Sequence, residues 1–352
     1  MRLAHTDHRA DPGAWASALG VSREAVDLYL ASDVIDLHVD SFIWTRVFGY
    51  DLTRRHELGP TRGRFLSQVD LPRICEAGIT GAVWSITTNP FRRHARRADV
   101  FATNLARLRE ILAGCPDDVT LVRTRADYDR RSGRHAAFIG IQGGNALDVG
   151  DDVPDDVVRV TLVHLTSSAI GGTSSPLARL GGGPTGLTPL GREYIARLNA
   201  RRIFVDLAHI SRAAFFDAVD VHDRTQPLMV SHTGVSGVRP HWRNVDDAQL
   251  RAVADTGGIV GVIYERGFLG PGPTVTADAI AEHVAHIVRV AGEDMPALGS
   301  DWDGMITPPA DLPSCLELPR VVDSMLRRGL RARTIQKVLG ANFLRALAML
   351  RP

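Results

Sequence analysis

The 352-residue sequence predicts an α/β fold of the (β/α)8 TIM-barrel type, preceded by an N-terminal helical extension. Three observations carry this: about eight short apolar runs, helical patterns in most of the gaps, and metal-ligand side chains at the ends of several runs. The runs are residues 34–40, 81–87, 137–142, 160–165, 203–208, 228–232, 258–264 and 297–301. Near-continuous apolar character is what a parallel strand buried on both faces requires. Repeated strand and helix units in this number favour a closed barrel over a doubly wound sheet. No glycine-rich dinucleotide fingerprint follows the first run.

Residues 1–33 read as the extension, packed outside a single barrel domain of residues 34–352. Between the runs, Thr188 followed by Pro189 reads as an N-cap with proline at the first helical position, and Leu190, Tyr194, Ile195 and Leu198 form the apolar stripe. Ser211 is expected to cap the next helix, and Thr276 a later one that ends at Gly292. His283 and His286 lie in the middle of that later helix, away from any run end, and are expected on its surface. The Gly-, Pro-, Ser- and Thr-rich residues 171–191 read as a long loop, a lid or wall at the pocket side of the barrel. Its Gly181, Gly182 and Gly183 lack the Lys-Ser or Lys-Thr pair of a phosphate cradle.

Composition removes several function classes. A formal net charge of +1, with basic residues scattered rather than collected, argues against nucleic acid as a partner. Cys75, Cys115 and Cys315 are isolated, without paired zinc spacing, and are expected as reduced thiols. No stretch reaches the roughly 18 apolar residues of a membrane span. A soluble, cytoplasmic protein is the expectation.

The chemistry gathers at the run ends, which in a closed parallel barrel converge on one mouth. His38 and Asp40, one residue apart, share a face of the first run and form a foothold for a cation. His209 and His232 each close an apolar run and offer imidazole nitrogens to the same mouth. Asp301, in Gly-Ser-Asp at the end of the last run, is placed to accept a proton from water and return it to a leaving amine, while Asp303 reads as a turn aspartate. His164 is a candidate donor to a developing oxyanion or substrate carbonyl, with a core histidine as the competing account. Arg243 is a candidate clamp for a substrate carboxylate, with a surface salt bridge as its competitor.

Several segments resemble the membrane (renal) dipeptidase family of zinc metallopeptidases, related to the amidohydrolase barrels. They are QVDLPRICEAGITGAVWSI, LTPLGREYIARLNARRIFVDLAHIS, VSHTGV, RNVDDAQLRAVADTGGIVGVIY, LGSDWDG and LGANFLRAL, spread in order through most of the chain. The resemblance implies a barrel holding two zinc ions, with His38 and Asp40 matching ligands of one and His209 and His232 ligands of the other. Asp301 matches the proton-handling aspartate, and His164 and Arg243 match substrate-contacting positions. It further implies hydrolysis of dipeptides, some with a D-configured or dehydro C-terminal residue, by a homodimer.

One motif departs from the pattern. Family members commonly carry Glu-Gly-Gly-His, whose glutamate bridges both zincs, where this chain has Gln142, Gly143, Gly144 and Asn145. Two dications about 3.5 Å apart repel by on the order of 20 kcal/mol at an effective dielectric of about 20, so bridging anions hold such a pair together. A neutral amide cannot act as a symmetric carboxylate bridge. Weakened affinity for at least one ion, a mononuclear working form, or loss of ordinary dipeptidase activity is therefore expected. Three functions stay open: a metal-dependent hydrolase of a dipeptide or related small amide, a dipeptidase-like barrel serving as a binding or partner protein, and a mononuclear amidohydrolase acting on another small substrate.

Overall fold

Strands Gly81–Thr87 and His135–Gln142 run side by side in parallel over seven register pairs, from Gly81 opposite Ala136 to Thr87 opposite Gln142, and this pairing closes the sheet into a ring. The computed structural model describes residues 2–87, 89, 96–147, 152–176 and 182–352. Its strands are β1 (Ile35–Val39), β2 (Gly81–Thr87), β3 (Val119–Leu121), β4 (His135–Gln142), β5 (Val157–Thr161), β6 (Phe204–Asp206), β7 (Met229–Thr233), β8 (Ile259–Val262) and β9 (Pro296–Leu298). Eight of them form the barrel in the order β2-β1-β9-β8-β7-β6-β5-β4, every neighbour parallel. Every residue of these eight is buried, as their apolar sequences require.

The ninth strand, β3, stands outside the ring against the first residues of β4, Val119 opposite His135 and Leu121 opposite Ala137. Three residues, the last of them exposed, make no apolar run, so the sequence does not announce it. Strands β1, β5, β6, β8 and β9 end earlier than their apolar runs do. Asp40, His164, His209 and Asp301 accordingly lie just beyond β1, β5, β6 and β9, where the backbone is released from the ladder.

Helices cover the outside, and a large apolar cluster fills the layer between them and the strands. A second cluster joins Leu37, Val83, Phe138, Phe204, Met229 and Ile259 of the strands to Phe343, Leu344 and Leu347 of the C-terminal helix Asn342–Leu350. These strand residues precede the candidate site residues along the chain, so they form a packed floor beneath the mouth. Helices Pro12–Leu19 and Arg23–Leu30 belong to the N-terminal segment. Tyr29 docks the second of them by donating to Ala77 O at 2.8 Å, and Ser22 ties it to Asp323.

Thr188 and Ser211 cap their helices through side-chain bonds to Gly191 N and Ala214 N. Thr276 sits at the N-cap position of helix Ala277–Ala291 without such a bond; Asp311 accepts from Ala277 N instead. The expectation that His283 and His286 are surface residues is overturned, since both are buried. His283 accepts from Val235 N at 2.9 Å and lies 3.1 Å from Leu269 O, while His286 Nε2 meets Asp247 at 2.7 Å. The spacing explains it: His283 falls three residues after Ile280 and four before Ile287, on the helix's buried stripe.

In the long loop, Gly181 and the rest of residues 177–181 lie outside the described residues. The flanking segments pair Gly171 with Leu187 and Thr173 with Ile210, and Ser174 N donates to His209 O at 2.7 Å. The loop therefore leans on the mouth of the barrel. The three cysteines are free. Among the described residues no helix is long and apolar enough to cross a membrane.

Candidate metal centre

Six of the sequence-selected residues meet at the C-terminal mouth of the barrel. His38 Nε2 lies 3.5 Å from Asp40 Oδ1, 3.5 Å from Asp301 Oδ1 and 3.1 Å from Gln142 Oε1. On the other side Gln142 Nε2 is 3.2 Å from His209 Nε2, which is 2.8 Å from His232 Nε2. The Gln142 amide thus stands between the His38 and His209 halves, its oxygen toward one and its nitrogen toward the other. Thr87 Oγ1 donates to Asp40 Oδ1 at 2.7 Å and holds that carboxylate in place. His209 and Asp301 both take left-handed backbone angles, with φ of 65° and 64°, a conformation that non-glycine residues adopt mainly where the surroundings enforce it.

The donor set fits a divalent cation. Burial pushes the His38, His209 and His232 imidazoles below their ordinary range, so they stand neutral with lone pairs available. Two neutral imidazole nitrogens 2.8 Å apart can share one proton at most, and His209 Nδ1 is buried without a hydrogen-bond partner among the described residues. Burial would raise Asp40, but His38 beside it and the Thr87 hydrogen bond outweigh that and hold it ionised. Asp301 is raised well above the usual carboxylate range, by burial first and then by the negative charge of Asp40. Facing lone pairs and two crowded carboxyl groups are relieved together by a positive ion placed among them. The ligand atoms of His38, His232 and Asp301 all lie within 4.8 Å of one another, close enough to hold a metal ion.

Residues 22–350 match the sequence profile of the family described as Membrane dipeptidase (Peptidase family M19). The chain belongs to the M19 family. Among curated relatives it is 29% identical over 329 residues to dipeptidase tcpJ of Claviceps purpurea, covering 89% of this chain and 76% of that protein. It is 36% identical over 166 residues to an uncharacterized protein from the pqqA 5' region of Klebsiella pneumoniae, covering 46% of this chain and 60% of that one. Its fold is similar to that of a metallopeptidase from Rhodobacter sphaeroides solved with a phosphinate mimic of the dipeptide L-Ala-D-Ala. That likeness has a TM-score of 0.79 at 21% identity and covers 91% of this chain and 99% of the other. This M19 protein is a dipeptidase-like hydrolase.

Beneath the mouth, three charged residues that sequence reasoning passed over build the M19 site's support. Arg159, fully buried on β5, pairs with Asp206 at 3.0 Å. Its Nη1 also lies 2.7 Å from His38 Nδ1, and its Nη2 donates to Ser85 Oγ at 2.5 Å. Asp206 Oδ1 accepts from Ala208 N and Ser231 N, the residues just before His209 and His232. Asp36 Oδ1 accepts from His38 N and from Ser300 N, just before Asp301. The available signal was a charge inside an otherwise apolar run, as in VVRVT, IFVDL and VIDL.

The two substrate-contact candidates are also at the M19 mouth. His164 packs edge-on to His209 with ring centroids 4.6 Å apart; its Nδ1 is buried without a partner among the described residues, and burial lowers its pKa to about 4. Arg243 is only 4% exposed and forms no ion pair among the described residues, which removes the surface salt bridge as its explanation. Its Nη2 donates to His232 O at 2.7 Å, and its Nε has no partner among the described residues. Burial lowers the guanidinium to about 10 against the opposing pull of Asp301. Asp303 is a turn residue as expected, its carboxylate accepting from Ser41 Oγ and Gln68 N.

Proposed function

We propose that this chain hydrolyses dipeptides, or closely related small amides, using zinc held by His38, Asp40, His209 and His232. The observation that carries the proposal is the convergence of these four with Asp301 around neutral, partner-poor imidazoles. A divalent ion bound there supplies a Lewis acid for the scissile carbonyl and acidifies a water. Asp301 takes the proton from the attacking water and passes it to the leaving amine, a role for which a carboxyl raised by burial is suited. Arg243, buried and short of partners, binds the C-terminal carboxylate, and His164 steadies the carbonyl oxygen. A phosphinate dipeptide mimic bound to the Rhodobacter sphaeroides metallopeptidase supports the substrate class.

Gln142 stands where a bridging carboxylate is expected, so one ion is held firmly and a second weakly or not at all. Metal analysis after dialysis, combined with a dipeptide panel on the native chain and on Gln142→Glu, tests both parts. About one zinc per native chain and about two in the glutamate variant are expected, with dipeptide turnover by the native protein. Two tightly held ions in the native chain overturn the mononuclear part. Turnover by the variant alone favours the reading of a barrel that has kept binding and lost catalysis. A homodimer, as the family resemblance implies, and a cytoplasmic location are part of the same proposal, and light scattering of the purified chain tests the assembly.

A further inference from the structure

A cavity of about 210 Å³ opens beside the metal centre, shared by His209, Arg243 and Trp242. That is below the roughly 300–1,000 Å³ of sites for drug-sized ligands, and it suits a single amino-acid residue. Most polar groups of its wall are already committed to the fold. Asn244 uses its oxygen on Gly234 N and its nitrogen on Arg239 O and Phe268 O. Arg212 pairs with Asp246 at 2.6 Å, and Asp246 caps a helix together with Gln249. What the wall leaves open is the buried, under-partnered guanidinium of Arg243 and the apolar surface of Ile210, Val245 and Trp242.

Trp242 is 43% exposed, a large apolar surface left in water next to a catalytic mouth. It is held in place: its ring meets Phe268 edge-on at 5.9 Å, and His241 stacks at a tilt on both. A cationic anchor with a rigid aromatic wall at the next residue describes a receptor for an α-carboxylate whose own side chain is apolar. We infer that this cavity is the side-chain subsite for the C-terminal residue of the substrate, and that it selects large apolar or aromatic residues through Trp242. The inference rests on the dipeptidase reading above and deepens it to a substrate class.

The test compares kcat/KM for Ala-Phe and Ala-Ala on the native chain, Trp242→Ala and Trp242→Phe. The native chain is expected to favour Ala-Phe by roughly 10- to 100-fold, the range an apolar pocket achieves. Trp242→Ala is expected to bring the ratio within about threefold of unity, and Trp242→Phe to restore most of it. Equal values on the native chain, or an unchanged ratio in Trp242→Ala, overturn the subsite while leaving the hydrolase reading standing. If neither dipeptide is cleaved, the hydrolase reading fails by itself, and calorimetric Kd values for the same two dipeptides decide the subsite. A Phe preference that disappears in Trp242→Ala supports it, and equal Kd values overturn it.

Discussion

Asp36 and Asp206 perform the same operation on the two thinnest seams of the barrel. The β1–β9 ladder is a single register pair, Asp36 with Leu298, and the β6–β7 ladder is a single pair, Asp206 with Met229. In each case the carboxylate Oδ1 accepts the N–H two residues ahead of it in sequence and the N–H two residues beyond its register partner: His38 and Ser300 for Asp36, Ala208 and Ser231 for Asp206. There the strands part to open the mouth, and backbone donors that lose a ladder carbonyl receive a carboxylate oxygen in its place. The residues so anchored are, or directly precede, His38, Asp301, His209 and His232.

The second oxygens differ, and that separates the two positions by mutation. Asp36 Oδ2 has no partner among the described residues, and burial pushes this carboxyl up to about 6. Asp206 Oδ2 meets Arg159, Thr161 and Ser231. Asp36→Asn keeps the shared acceptor and should stay within about 1 kcal/mol of native in urea unfolding. Asp206→Asn strips a buried guanidinium of its counter-charge and should cost about 3–5 kcal/mol, with zinc affinity down by about 10- to 100-fold. Equal stability and equal zinc titration curves for the two variants would contradict this account.

The ring of strands was readable because strands buried on both faces leave unbroken apolar runs, and the candidate ligands because they fall at the ends of those runs. What escaped has physical reasons. Among the described residues the strand at Val119–Leu121 binds only one neighbour, and it exposes its last residue, so it lacks the apolar signature. His283 was misplaced because a polar type in mid-helix was weighed above its spacing from Ile280 and Ile287. Arg159 and Asp206 neutralise each other inside the barrel, a relation between positions 47 residues apart that no local pattern displays. The left-handed backbone of His209 and Asp301 likewise follows from tertiary constraint, since neither residue type demands it.

Arg243 should act on substrates through their carboxylate. Arg243→Lys retains charge but loses the forked geometry, and Arg243→Ala removes both. Truncating a buried charged contact costs about 2–5 kcal/mol, so Arg243→Ala should lower kcat/KM for a free dipeptide by on the order of 100-fold or more. A dipeptide amide, lacking that carboxylate, should be a poor substrate of the native chain and lose little further in the variant. Parallel losses for the acid and the amide would place Arg243 outside carboxylate recognition.

His283 gives the fold a pH dependence of defined sign. Burial lowers it to about 4 from an ordinary value of 6.5, so between these pH values the unfolded chain binds a proton that the folded chain refuses. Its contribution is fully present above pH 6.5 and is lost as pH falls toward 4, at most about 3 kcal/mol. His283→Gln should flatten the stability profile over that window relative to native. Urea titrations at pH 7, 5.5 and 4.5 measure it, and an equally steep decline in the variant would exclude His283 as a source.

Gly299 and Gly261 should prove intolerant of any side chain, because they let three strands crowd behind His232. A Cβ at Gly299 would fall 1.9 Å from Ser231 O, and one at Gly261 2.1 Å from the same oxygen. Both obstacles are backbone, which cannot swing aside as a side-chain tip does. Alanine at either position must push the end of β7 outward, and His232 is the next residue along it. Overpacking of this kind costs about 1–3 kcal/mol or more, and a ligand displaced with the strand also weakens metal binding. Gly299→Ala is expected to lose both stability and zinc affinity, whereas Gly272→Ala, with nothing within 4 Å of the added carbon, should keep its zinc affinity despite its φ of 83°. A Gly299→Ala protein that binds zinc as tightly as the native chain would show that β7 can retreat without carrying His232 along.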